Sequence, residues 1–249
     1  MTSAFFIQLR RELGAIYNSP MAYVIFFFFT FIAGSIFYNN LQFLEMGARI
    51  SVMQMFFLGV WFWMCLLIMI PLLTMRLFSE EYKTGTIELL LTAPVSDWDI
   101  VLSKFFSAFL FYLTLWAPTV VYLLVFQWVT GGEIPVKIPN TLLCYLLVVL
   151  VGAFFVSVGL FASSLTRNQA LAAFTTFALL LGLFFLGLLG LNMEESKFTA
   201  FMEYISCYQH MRNYLEGIFD SRPVIFYLSG TLLFLALTQR LMAVKKLKS

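Results

Sequence analysis

Charge is scarce in this chain. Of 249 residues, 13 are acidic, 15 basic and one is histidine. That makes 11 % charged, where an ordinary soluble domain carries about 25 %. So little polar surface cannot clothe a water-soluble fold. A net charge of +2 also leaves no electrostatic footprint for a nucleic-acid partner, and none is expected. Cysteine is nearly absent too: Cys65, Cys144 and Cys207 are odd in number and lack ligand spacing, which excludes a disulfide framework or a zinc ribbon and leaves ordinary packing residues. The single histidine, His210, has no candidate nucleophile near it in sequence and is expected to be structural or solvated. There is no His-Glu-x-x-His, no Gly-x-Ser-x-Gly and no phosphate-binding loop. The chain is therefore not expected to be an enzyme, to hold a metal or cofactor, or to extract energy from a nucleotide by itself. A cleavable leader is not expected either, because "MTSAFFIQLRRELGAIYNSP" places apolar residues before its arginines.

What is present is oil: 61 % hydrophobic and 18 % aromatic residues, with a mean hydropathy of +0.91. A bilayer core of about 30 Å needs about 20 apolar residues of helix. Six runs qualify: about 20–38, 52–75, 104–128, 141–165, 170–191 and 224–243. The first is opened by Asn18 or Ser19 as a cap with Pro20 in the first turn. Pro223 plays the same part for the sixth, and Pro118 is expected to kink the third. The expected fold is an all-α integral membrane protein, residues 1–249 forming one six-span domain. An even number of spans puts both termini on one side. With the termini in the cytoplasm, Arg10, Arg11, Arg76, Lys83, Lys104, Arg167, Arg240, Lys245, Lys246 and Lys248 lie inside, while Arg49, Lys137, Lys197, Arg212 and Arg222 lie outside. About ten against five places the termini inside.

No Asp, Glu, Lys, Arg or His falls deep in any of these runs. A charge at mid-bilayer costs at least about 2.5–3.5 kcal/mol and, where it persists, usually marks an ion or proton path. Thr30, Gln54, Thr114, Ser157, Thr175, Thr176, Ser229 and Thr231 are the polar groups on offer, and their default role is helix packing. The pairs Ala153/Ser157 and Gly159/Ser163, and the glycines Gly182, Gly187 and Gly190, point the same way, to packing within the chain before packing between chains.

Three segments stand apart. Residues 1–19 hold Phe5, Leu9, Leu13 and Ile16 or Tyr17 at helical spacing, with Gln8, Arg11 and Glu12 off that stripe. This suits an interfacial helix with Arg10 and Arg11 at the headgroups, or a polar-faced lead-in to the first span. Residues 192–222 carry Phe198, Phe201 or Met202, Ile205, Tyr208, Leu215 and Phe219 on one near-helical face, interrupted around Arg212. They fit an interfacial helix on the outer rim.

The third segment is 76–104, "RLFSEEYKTGTIELLLTAPVSDWDIVLSK", about eight charges between two uncharged runs. Arg76, Glu80, Glu81 and Lys83 extend the second helix, and Gly85 breaks it. "TIELLLTA" then forms a short helix capped by Thr84 or Gly85, with Glu88 in the first turn if Gly85 caps. Pro94 stops it. Ser96 caps the next helix, Asp99 completes a capping-box pattern, and Trp98 belongs at the headgroup level. Ile87 and Leu89 to Leu91 cover most of the short helix's circumference. That is too much for one lipid-facing stripe, so it is either a docking knob with an acidic rim or a loop lying in the membrane.

The segment "RLFSEEYKTGTIELLLTAPVSDWDIVLSKFF" resembles the signature of the ABC-2 type transporter permeases, and most of all the small six-span subunits of the gliding-motility and nitrous-oxide-reductase-maturation kind. The shared pattern is carried by Glu80, Glu81, Gly85, Thr86, Glu88, Leu89 to Leu91, Pro94 and Val95. The tail "YISCYQHMRNYLEGIFDSRPVIFYLSGTLLFLALTQR" is similar to the same group's last loop and span, with Cys207 where a proline is common. The resemblance implies a bacterial inner-membrane exporter subunit that is half of a dimeric pore. Its coupling residues would be Glu80, Glu81, Gly85, Thr86, Glu88, Leu89, Leu90 and Pro94, seated in a groove of a separate ATPase present in two copies. The elbow helix beside them would be Phe5, Leu9, Arg10, Arg11 and Leu13, and residues 192–222 would be an outer gate that partly re-enters the membrane. ATP and magnesium would be bound by that ATPase, and the second permease would be the same chain or a paralogue. An ion-coupled carrier or channel, and a non-transporting scaffold or mechanotransmitting subunit, are the alternatives the residues leave open. Membrane lipids are partners in every case, and the substrate is not legible.

Overall fold

The structure, a computed structural model, describes residues 2–45, 52–87, 95–129, 138–190 and 197–246. The elements in these segments are helices: α1 Thr2–Tyr17, α2 Pro20–Glu45, α3 Val52–Phe57, α4 Val60–Thr74, α5 Ser79–Thr84 and α6 Asp97–Val129, followed by α7 Ile138–Leu165, α8 Gln169–Leu189, α9 Lys197–Ile205, α10 Cys207–Leu215 and α11 Ser221–Lys246. Six stretches are long and apolar enough to cross a bilayer: Pro20–Gln42, Val60–Thr84, Asp97–Trp128, Ile138–Leu165, Gln169–Leu189 and Ser221–Lys246. The protein is an all-α, six-span membrane protein, as its composition requires.

Two span boundaries differ from the sequence expectation. The second run, expected as one helix from 52 to 75, breaks at Gly59, which is extended (φ −63°, ψ 139°) and caps α4. A Cβ at Gly59 would meet the Met55 carbonyl oxygen at 2.8 Å, so no larger residue makes this break without a shift. The third span, expected from near Lys104, extends back to Asp97, where the helix that Ser96 was expected to cap begins. The Ser96 hydroxyl donates to Asp99 Oδ2 at 2.7 Å and accepts from the Asp99 N–H at 3.1 Å. Lys104 is consequently inside a helix, not at its edge. Asn168 caps α8 in the usual way, its Oδ1 accepting from the Ala170 and Leu171 amides.

The fourth span, α7, is the centre of the bundle. Two-thirds of its apolar window (67 %) is buried, against 22–33 % for the first, third, fifth and sixth spans, whose outer faces are left to lipid or to another chain. Close approach explains its glycines. A Cβ at Gly152 would lie 2.0 Å from the fully buried Tyr112 ring, and one at Gly159 2.2 Å from Thr74 Oγ1. Tyr112 donates to the Val148 carbonyl at 2.9 Å, and the buried hydroxyls of Ser157 and Ser164 return to carbonyls three residues back on their own helix. No water is needed to satisfy them. Cys144 and Cys207 are buried and Cys65 half-buried, all with free thiols, as packing residues.

The chain comes together at two ends. At one, α1, the start of α2, the end of α4, α5, the start of α6 and the ends of α7 and α11 converge; this is the α5 end. At the other lie α9 and α10, the described part of the 192–222 segment. Gly187 lets the Ser206 backbone approach α8, since a Cβ there would be 2.7 Å from Ser206 Cα. Asn140 Nδ2 donates to the Leu215 carbonyl at 2.7 Å, tying α10 to the start of α7. His210 proves structural. It is buried, its Nδ1 lies 2.9 Å from the Tyr227 hydroxyl, and burial pushes its pKa down to about 4, so the ring is neutral.

Candidate functional site

The α5 end holds the greatest concentration of polar contacts between distant residues. α4 ends at Thr74, and a turn over 75–78 leads into α5. That turn is built around one serine of α7. Ser163 Oγ accepts from the amides of Phe78 (3.1 Å) and Ser79 (3.2 Å) and donates to the Met75 carbonyl (3.2 Å). The Ser79 hydroxyl also donates to the Met75 carbonyl. The orphan groups at the junction of two helices are thereby satisfied by a third.

α5 closes at Gly85, whose φ of +75° is left-handed, with nothing within 4 Å of where a Cβ would stand. Backbone geometry alone makes this position favour glycine. Thr84 Oγ1 bonds the Glu80 carbonyl at 2.9 Å and lies 2.9 Å from Thr86 Oγ1, while Gly85 and Thr86 are exposed. Ile87 is buried. Glu88, Leu89, Leu90, Leu91 and Pro94, on which the expected short helix rests, lie outside the described residues.

An ion cluster joins α5 to α1 and α6. Lys104 Nζ sits 2.8 Å from Glu81 Oε1 and 3.1 Å from Glu12 Oε2, and 5.2 Å from the centre of the Phe78 ring. Arg11 caps the cluster, 2.7 Å from Glu12 Oε1 and 3.7 Å from Glu81 Oε1. The Lys104 side chain is 2 % exposed, Glu12 10 % and Glu81 18 %, so these charges are held by one another and not by water. Burial alone would raise the Glu12 pKa, but Lys104 and Arg11 outweigh it and hold that carboxyl below the usual range. On the far side of α5, Lys245 of α11 donates to Tyr82 Oη (2.9 Å) and to the Ser164 carbonyl (2.7 Å), its ammonium 4.1 Å from the Tyr82 ring centre.

The elbow residues fall as follows. Phe5, Leu9 and Leu13 are half-buried, Arg10 and Arg11 are exposed, and Gln8 and Glu12 are turned inward. Phe5 packs against Phe106 with ring centres 6.2 Å apart, and Tyr17 against Phe111 at 5.3 Å. Gln8 and Glu12 of α1 thus face inward, Glu12 against Lys104, while Arg10 and Arg11 stay outside. Of the sequence-derived coupling residues, Glu81 enters the cluster directly. Glu80 stays outside, 3.9 Å from Arg76, which donates to Ser19 Oγ at 3.1 Å. Sequence reasoning missed Glu12, Lys104, Ser163 and Lys245 as partners of α5 and the turn before it. A lone charge amid apolar neighbours, as at Lys104 in "IVLSKFFSAF", was the available signal.

Between these elements lies a cavity of about 710 Å³, bounded by α1, the first turns of α2, the end of α4, α5 and Lys104. Among the described residues the arrangement offers no poised nucleophile with a base beside it. It offers a short polar element fastened to helices that cross the membrane, a construction that fits a transport component. The sequence comparisons place it within that class. Residues 9–244 match the model of the family described as ABC-2 family transporter protein, nearly the whole chain, and the chain belongs to that family. No match was found among curated proteins. The protein is a permease subunit of an ABC transporter and not an enzyme, and the family implies association with an ABC ATPase.

Proposed function

We propose that this chain forms half of the translocation pathway of an ABC exporter and receives ATP-driven motion through residues 76–104. The observation that carries the proposal is the fastening of α5. Lys104 and Glu12 tie it to α6 and α1, Ser163 holds the turn before it on α7, and Lys245 holds Tyr82 from α11. A push on this segment reaches four other helices through buried polar contacts. ATP and magnesium would be bound by a separate ATPase, two copies per complex, seated against Glu80, Glu81, Gly85, Thr86, Glu88, Leu89, Leu90 and Pro94. α1 would act as the interfacial elbow beside that groove.

The outward faces of α2, α8 and α11, mostly uncovered within this chain, leave room for lipid and for a second permease subunit, this chain or a paralogue. The α5 end would be cytoplasmic with both termini, and the membrane a bacterial inner membrane. Segment 192–222 would gate the outer side. Within the family, the resemblance is to the small six-span gliding-motility and nitrous-oxide-reductase-maturation subunits.

The test is co-expression with the cognate ATPase. Gly85→Pro forces φ to about −65° where the chain needs +75°, and Glu81→Arg reverses a charge beside Lys104. Both are expected to insert normally yet lose substrate-linked ATP turnover. Unchanged transport in both variants, or cargo moved by the permease with no ATPase present, would refute the proposal.

A further inference from the structure

The charges at the α5 end are unevenly distributed. On the α1 side each described carboxylate has a partner: Glu12 and Glu81 hold Lys104 and Arg11, and Glu80 holds Arg76. At the start of α6, Asp97 pairs with Lys246 and Asp99 with Ser96. Across α5, where the α7–α8 turn meets the end of α11, two cations stand together without an acid. Arg167 is exposed on that turn and makes no hydrogen bond or ion pair among the described residues. Lys245 is half-buried and its contacts are neutral: the Tyr82 hydroxyl and ring, and the carbonyl of Ser164, three residues before Arg167. The Arg167 guanidinium is near enough for its charge to act on both Lys245 and the Tyr82 hydroxyl. Like charges brought together repel, and no carboxylate among the described residues answers this pair.

The surroundings of the pair are apolar. Leu165 and Leu171, which flank the turn, and Val244, beside Lys245, are exposed. α7 ends at Leu165 and α8 begins at Gln169, so the turn lies where two spans leave the bilayer. An anion that reaches Arg167 and Lys245 at this level has hydrocarbon on one side. The Ala170 and Leu171 amides of α8 are already taken by Asn168 Oδ1, so it is the two side chains that are left to hold it. Arg167 has all its N–H groups to offer, and Lys245 a third beyond those given to Tyr82 and Ser164.

We propose that Arg167 and Lys245 form the headgroup seat of a net-anionic phospholipid, such as phosphatidylglycerol, in the leaflet at the α5 end. Its phosphodiester accepts from both cations, and its first acyl carbons lie on Leu165, Leu171 and Val244. Basic clusters between spans at this level suit anionic headgroups. A zwitterionic headgroup matches less well, because its ammonium brings a third cation to the pair. A carboxylate of a soluble partner would have to enter among exposed apolar side chains at the bilayer edge, which favours the lipid. The assignment concerns what the permease binds by itself and does not depend on ATPase coupling.

The experiment is native mass spectrometry of the delipidated full-length chain without any ATPase. It is titrated with phosphatidylglycerol, phosphatidylcholine and phosphatidylethanolamine of identical acyl chains. Each cation beside an anionic headgroup contributes roughly fivefold in affinity, so phosphatidylglycerol is expected to bind roughly tenfold or more tighter than either zwitterion. Arg167→Gln, at an exposed position without a partner, should cut phosphatidylglycerol binding roughly fivefold and leave the lipid-free Tm unchanged. Arg240→Gln is the control. Arg240 is exposed, makes no ion pair among the described residues, and lies two residues before the buried Met242, hence on the opposite side of α11. Its loss removes the same charge but should leave the preference intact. Equal binding of the three lipids by the unmutated chain would overturn the proposal. So would equal losses in the two variants, which would reduce the effect to net charge. Displacement by soluble glycerophosphoglycerol at the lipid's own concentration would place the anion in water and overturn it too. An Arg167→Gln chain that keeps its phosphatidylglycerol yet binds the cognate ATPase more weakly would assign the pair to that partner, against the lipid.

Discussion

Replacing Lys104 by methionine tests the ion cluster most directly. The change keeps an unbranched side chain of similar length and removes a charge that is 2 % exposed and lies 2.8 Å and 3.1 Å from two carboxylates. At an effective dielectric near 20, each such contact is worth about 5 kcal/mol of attraction. Desolvation of the three groups offsets most of that in the intact protein. Removing the lysine alone leaves the desolvation cost of Glu12 and Glu81 standing, with Arg11 the remaining cation in contact with them among the described residues, and Arg11 is largely in water. Deleting one partner of a buried cluster typically costs about 3–5 kcal/mol. At about 2–4 °C per kcal/mol for a chain of this size, the Tm should fall by roughly 6–20 °C. The control is the triple variant Glu12→Gln, Glu81→Gln, Lys104→Met, which removes all three charges together and should recover most of the loss, since a neutral set no longer buries unpaired charge. Thermal unfolding of purified protein in detergent, followed by intrinsic tryptophan fluorescence, reads both. An unchanged Tm in Lys104→Met, or a triple variant less stable than the single, would show that the three groups do not stabilise one another as their distances imply.

Glu12 adds a pH dependence. Its folded pKa lies below the unfolded value, so its contribution is complete above the ordinary carboxylate range and is lost as pH falls through the folded value. The Tm gap between the unmutated protein and Glu12→Gln should therefore close on going from pH 7 to about pH 3. Ser163→Ala strands the Phe78 and Ser79 amides. It should cost about 1–3 kcal/mol and speed hydrogen exchange at those two amides; unaltered exchange would remove Ser163 from the junction. Gly159→Ala drives a Cβ to 2.2 Å from Thr74 Oγ1 and should cost about 1–3 kcal/mol by overpacking. Adding Thr74→Ala, which deletes two of the three atoms the new methyl meets, should restore part of the lost Tm.

Much of this architecture is local and was legible for that reason. Span length is set by bilayer thickness acting on consecutive apolar residues, so six runs read from hydropathy became six spans. The Ser96–Asp99 box and the left-handed Gly85 depend on neighbours within three residues, and both were recognisable in the string. The helix that Ser96 was expected to cap does start at Asp97, and Lys104 lies inside it. By contrast, the break at Gly59 passed unseen, since one glycine in a long apolar run does not announce an extended residue.

What the string does not contain is which polar groups meet. The chain by itself determined that this is a six-span membrane protein with a polar segment set between its second and third spans, because those properties follow from composition along a continuous stretch. Tertiary structure alone decided that Lys104 neutralises Glu12, 92 positions away, that Ser163 holds a turn 84 and 85 positions before it, and that Gln8 and Glu12 of α1 face inward. Such pairings arise when helices from distant parts of the chain pack and remove charged groups from water. A charge whose partner is selected by packing carries no mark of that partner in its sequence neighbours.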